Sequence, residues 1–199
     1  LDEILQPQYL GWEIPKYEKQ TTDKKIIVFN HRPHKYKNYD WFLKQMDRLW
    51  EHRQDFEVWV PLTDSVTRPY MTNDKYDRFG YFSKLSSCYL GISCEQRYGG
   101  WAISATDGMS VGVPYMFSDN DYYHELADSA GIYYQDKNGF FIWINNLLDN
   151  KELRDDWSTR ALERFEQGKW GIAINQFNNM LNETIDKLIA AYGEKLLEI

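Results

Sequence analysis

Short unbroken apolar runs alternate along this chain with stretches whose apolar residues recur every three or four positions. The first run, Lys25–Phe29, has no polar interruption after Lys25, as expected of a strand covered on both faces. A polar loop, 30–38, follows. Phe42, Met46, Leu49 and Arg53, with Trp50 beside them, then mark one side of a helix. Phe56–Val60 is a second strand, closed by Pro61. The stretch Thr63–Asp77 is rich in loop residues, with a short strand at Pro69–Met71, and a helix covers Arg78–Ser87. Tyr89–Ser93 is the next strand, and the turn Tyr98-Gly99-Gly100 leads into a helix from Trp101 to Ser110. Val113–Phe117 and Gly131–Tyr134 are further strands. Phe140, Phe141, Ile144 and Leu148 carry one later helix, and Leu153, Trp157, Ala161 and Phe165 another. Phe177, Leu181, Ile185, Leu188, Tyr192 and Leu196 define a long amphipathic helix at the C-terminus.

Strands alternating with helices at this spacing predict an α/β domain: a Rossmann-like three-layer arrangement around a parallel sheet. Residues 1–24, with Pro7, Gly11 and Pro15, read as a linker leading into a domain of residues 25–181. Residues 182–199 are expected to pack on that domain or toward a further one. The start at Leu1, in mixed apolar and polar sequence, reads as that of an excised domain.

Composition narrows the function classes. Hydrophobic residues at 43% and aromatics at 17% exclude a disordered chain. A net charge of −7 disfavours a nucleic-acid backbone as the main ligand but leaves room for a small phosphate held by one or two cations. No apolar run approaches the roughly 20 residues needed to span a bilayer, and no secretory signal is visible. Cys88 and Cys94 flank a predicted strand, which holds them beyond disulfide reach of about 7 Å. Two buried thiols in a reducing, cytoplasmic setting are the expectation.

In open parallel sheets, ligands bind beyond the carboxyl ends of the strands. Four loops at that edge hold residues unusual for connectors: 30–38, 61–68, 94–100 and 118–123. In the first, Arg32 follows the strand and Lys37 precedes the helix, so both cations are able to converge on one anion. The alternative is a solvated basic loop. His31 and His34 lack a nearby third ligand, and no metal site is expected. Consecutive Gly99 and Gly100 before a helix permit close backbone approach to a ligand, or simply make the turn. Asp107, among Ala105, Thr106, Gly108 and Met109, is a carboxylate on a largely buried helix and needs donors; sugar hydroxyls or internal partners would satisfy it. Asp121 is read as the N-cap of a helix containing Glu125.

The order of these motifs resembles the C-terminal, donor-binding domain of GT-B glycosyltransferases, in particular retaining family four. Phe29-Asn30-His31-Arg32 and Lys37-Asn38 stand where that family has Gly-Arg and a downstream Lys. Leu85–Glu95 is similar to its apolar strand ending in Pro-Ser and a Glu. Asp107-Gly108-Met109-Ser110-Val111-Gly112-Val113-Pro114 is similar to its Glu-Ala-Met-Ala-x-Gly-x-Pro. Glu125-Leu126, Gly131 and Trp170 fall where later family positions do.

The resemblance implies that Arg32 and Lys37 bind the diphosphate of a UDP- or GDP-linked sugar, with Asp107 on the ribose hydroxyls. It makes Thr63, Tyr70 and Met71 candidates for the nucleobase loop. The family's first acidic residue falls at Gly99, with Glu95 the nearest acid, so the donor sugar meets either Glu95 or the Gly99-Gly100 backbone. The family transfers sugar with retention through an oxocarbenium-like transition state, without cofactor or metal where such cations hold the diphosphate. The acceptor lies largely on an N-terminal domain of the full-length protein. A catalytically inactive scaffold module and a GT-B-like nucleotide-sugar epimerase, the latter suggested by Glu95, His124 and Glu125, are the competing readings.

Overall fold

The computed structural model describes residues 16–97, 102–167 and 170–196. The chain divides into two compact units, one of Ile14–Phe165 and one that takes the residues from Glu166 onward. The sequence places its division later, after Leu181. In the second unit the helix α7 runs without a break over Trp170–Leu196, across that position. Phe177, Leu181, Ile185, Leu188 and Ile189 lie exposed along it.

The first unit holds six parallel strands: β1 (Lys25–Val28), β2 (Phe56–Trp59), β3 (Met71–Thr72), β4 (Leu90–Ser93), β5 (Tyr115–Ser118) and β6 (Ile132–Tyr134). They lie in the order β3-β2-β1-β4-β5-β6. The order grows outward in both directions from β1, the doubly wound Rossmann-like topology, and its switch point falls between β1 and β4. Among the described residues, the α-helices of this unit are α1 (Tyr39–His52), α2 (Arg78–Ser86), α3 (Ile103–Ser110), α4 (Asp121–Ala127), α5 (Lys137–Asp149) and α6 (Lys151–Gln167), the last crossing the boundary between units.

The first strand shows why its run is unbroken. Ile27 and Phe29 enter one core with Phe42, Met46 and Leu49 of α1 and Phe140 and Ile144 of α5. Ile26 and Val28 enter the opposite core with Leu85 of α2, Met109 of α3 and Leu126 of α4. Every β1 residue after Lys25 is fully buried, each apolar side chain contributing roughly 1.5–3 kcal/mol of transfer free energy. Polar residues have no face to occupy. Cys88 and Cys94 are both free and buried, and burial pushes both thiols up to about 12.

Two assignments change. Arg53 is not on the face of α1 but caps its end in extended conformation, its N–H donating to Leu49 O. The guanidinium turns instead to Asp55 and Asp149. Asn120, not Asp121, is the N-cap of α4: its backbone is extended, while Asp121 is the first helical residue. The Asn120 amide donates to Ser118 Oγ at 2.8 Å. Asp121 acts only as an acidic group in the first turn, where the helix dipole favours it.

Candidate functional site

The carboxyl edge on either side of the switch point is organised by Asn30, which follows β1. Its Nδ2 donates to Tyr81 Oη at 2.8 Å and to Ser104 O at 2.7 Å. Its Oδ1 accepts from Tyr115 Oη at 2.8 Å. One buried amide thereby ties β1 to α2, α3 and β5, and all its hydrogen-bonding capacity on the donor side is used. Glycine makes this convergence possible: a Cβ on Gly91 or Gly108 would stand 2.3 Å or 2.2 Å from the Tyr115 ring.

Beside Asn30 opens a cleft of about 510 Å³. Pro61, Leu62, Tyr76 and Tyr81 supply flat apolar wall, and Arg78 and Asp107 supply charge. Tyr81 Oη, accepting from Asn30, donates to Asp107 Oδ2 at 3.5 Å, the limit of a useful bond. Burial is the main influence on Asp107 and raises its carboxyl to about 6, against the smaller opposing pull of Tyr81 and Arg78. Asp107 is thus a cleft-lining carboxylate whose only hydrogen bond among the described residues is a long one.

Arg32 is exposed early in the loop that follows β1, and Lys37 closes the 3₁₀ turn Lys35–Lys37 before α1. Lys37 is half-buried; desolvation, and then the Arg32 charge, lower its pKa. Its ammonium donates to Gln96 Oε1, beyond the end of β4. The two cations therefore share a neighbourhood, and among the described residues no carboxylate pairs with either. His31, fully buried, bonds Ser93 Oγ through Nε2 at 2.5 Å, and burial plus Lys37 depress it to about 3, so its ring is neutral. His34 accepts from the Tyr36 N–H at 3.3 Å, within its own turn.

Other candidates lie apart. Glu95 is exposed and lines a second, smaller cleft of about 190 Å³ with Asn38, Trp41, Ser118 and Asp136. Glu95 and Asp107 thus belong to different clefts. Gly99 and Gly100 fall outside the described residues. Thr63, Tyr70 and Met71 are buried and absent from the lining of the large cleft, with Tyr70 Oη donating to Asp47 at 2.6 Å. Pro61, Leu62 and the segment Lys75–Arg78 occupy that wall instead. No motif in the sequence marks Asn30, Tyr81 or Gln96 as a functional residue. The only signal at Asn30 was a polar residue directly behind an apolar strand.

Among the described residues no group of three or more His, Cys, Asp or Glu is arranged to hold a metal ion, and no helix is long and apolar enough to cross a membrane.

No family model and no curated protein matches the chain. Solved structures do. An S. aureus TarM variant in complex with Fondaparinux, alpha-GlcNAc-glycerol and UDP is similar with a TM-score of 0.71 at 17% identity, over 86% of this chain and 38% of that one. The GtfA/B complex is similar at 0.70 and 11% identity, over 90% and 39%. Sucrose-phosphate synthase from Thermosynechococcus elongatus is similar at 0.65 and 13% identity, over 83% and 46%. These neighbours are GT-B glycosyltransferases, and the Rossmann-like α/β fold of this chain matches part of theirs. The chain spans less than half the length of each.

Proposed function

We propose that this domain binds a nucleoside-diphosphate sugar, UDP- or GDP-linked, as the donor half of a retaining glycosyltransferase. The observation that carries the reading is the pairing of opposite needs at one sheet edge. Among the described residues, Arg32 and Lys37 are neighbouring cations that no carboxylate pairs with, and Asp107 is a cleft carboxylate short of donors. A diphosphate answers the first and ribose hydroxyls answer the second. The apolar wall of Pro61, Leu62 and Tyr76 suits a nucleobase. The UDP in the complex of the S. aureus TarM variant, a protein of the same fold, supports this ligand class.

As the glycosidic bond to the diphosphate breaks, negative charge grows on the leaving oxygens. Arg32 and Lys37, which no carboxylate pairs with among the described residues, are the cations that meet it. Asp107 holds the nucleoside while the reacting end lies toward Lys37. An acceptor and the groups that bind it belong to a further domain of the full-length protein. The isolated domain therefore binds donor without efficient transfer.

Titration with UDP, GDP and their sugar conjugates, followed by tryptophan fluorescence, tests this. Saturable binding is expected, weakened about tenfold or more by Arg32→Ala and by Asp107→Ala. Binding untouched by both substitutions, or no binding of any of these nucleotides, sinks the proposal.

A further inference from the structure

We propose that Gln96 is a positioning residue, a buried amide that aims the Lys37 ammonium at the anion site while leaving its charge uncancelled. This inference rests on the nucleotide-sugar reading for its ligand but not for its geometry.

Gln96 is buried, and three contacts fix it. Its backbone N–H donates to Tyr122 Oη at 3.0 Å. Its Nε2 donates to Tyr123 Oη at 2.9 Å, and Tyr123 Oη donates to Cys94 O at 2.8 Å. Because the tyrosine proton is committed to Cys94, the tyrosine oxygen accepts only, and it must face the NH2 end of the amide. Oε1 is then left for Lys37 Nζ. Rotating the amide by half a turn would set donor against donor at Lys37 and acceptor against acceptor at Tyr123. The orientation is therefore determined at both ends. The next residue holds the two loops together, the Arg97 N–H donating to Tyr36 O at 3.0 Å.

The choice of amide over carboxylate matters because the two have the same shape. A glutamate at this position would place a negative oxygen on Lys37 and complete an internal ion pair. The neutral amide gives Lys37 a fixed direction and nothing more. The charged and titratable neighbours that register at Lys37 are Arg32, which is cationic, and His31, which is neutral; the Tyr36 ring lies 5.4 Å below the ammonium. An incoming phosphate oxygen is the missing anion.

The test is Gln96→Glu, with Gln96→Met as a second variant of similar length that removes the acceptor; circular dichroism checks that each folds. Lysine side-chain NMR in 13C-lysine protein, with Lys37 assigned through Lys37→Arg, reads the ammonium directly. In the parent, Lys37 should titrate below the other lysines. In Gln96→Glu it should titrate well above its parent value, and UDP affinity should fall about tenfold or more. In Gln96→Met the titration should also move. An unchanged Lys37 titration in either folded variant, or parent-like UDP affinity in Gln96→Glu, overturns the inference. Should the parent bind neither UDP nor GDP, the nucleotide reading fails, and the Lys37 titration still decides the role of Gln96.

Discussion

Tyr81 Oη stands 3.5 Å from Asp107 Oδ2, close enough to orient the carboxylate and too far to satisfy it. Burial consequently outweighs the hydrogen bond, and the Asp107 carboxyl is raised to about 6. A carboxylate whose folded pKa exceeds its unfolded value of about 3.9 favours folding when protonated. Ionisation therefore costs stability as pH rises between these values, and the cost is complete above about 6. Asp107→Asn should stabilise the ligand-free domain at pH 8 by about 1–3 kcal/mol and hardly at all at pH 4. Urea unfolding at the two pH values measures it. The same substitution weakens the proposed ligand, so stability and binding should move in opposite directions.

The pH dependence of binding should have two limbs. Asp107 offers both oxygens as charge-assisted acceptors to the ribose hydroxyls only when ionised, so affinity falls as pH drops through about 6. Lys37 serves as a cation only when protonated, so affinity falls again as pH rises through its lowered pKa. A nucleotide sugar is the proper probe, because its esterified diphosphate does not itself titrate near 6. A flat profile between pH 5 and 7 would contradict the role given to Asp107.

The Tyr115 ring occupies the space that side chains at Gly91 and Gly108 would need. Gly108→Ala should destabilise by about 2–4 kcal/mol through overpacking of a ring that cannot retreat. Tyr115→Leu in that background should recover part of the loss. A double-mutant cycle from denaturant unfolding gives the coupling, and strict additivity would show that the clash is relieved elsewhere.

Arg53 joins the end of α1 to α5: its Nε and one terminal nitrogen bond both Asp55 oxygens at 2.7 and 2.8 Å, and it reaches Asp149 at 2.8 Å and Asn145 at 3.0 Å. Hydrogen bonds from Arg53, then from Lys25, hold the Asp55 carboxyl well below the usual range. That stabilisation is present above the ordinary carboxylate pKa and is lost as pH falls below it. Arg53→Met should cost about 1 kcal/mol at pH 7, since Asp55 and Asp149 are substantially exposed, and less at pH 3. Thermal unfolding at the two pH values checks the difference.

The sheet was legible because β1, β2, β4 and β5 are short apolar runs with both faces covered, a pattern that depends on local sequence alone. The cations were legible as residue types at a strand end. Other features depend on convergence across the chain. Asn30 meets Ser104 and Tyr115, and Lys37 meets Gln96, at separations no periodicity encodes. Tyr70 and Met71 read as a short strand beside a proline and as candidates for the nucleobase loop, and burial against β2 and α1 makes them core. Arg53 continued the helical spacing of α1 but found carboxylates on its far side, and those partners decided its position.

The register at the switch point pairs only Ile27 with Leu90 and Val28 with Gly91, whereas β1 and β2 pair along four positions each. Opening this seam breaks few interstrand bonds, so its amides should exchange with solvent faster than those between β1 and β2. A molecule seated on the loops that leave β1 and β4 would stitch both halves of the sheet together, and slower exchange at Tyr89, whose N–H crosses the seam to Ile26 O at 2.7 Å, would report its arrival from beneath the floor it rests on.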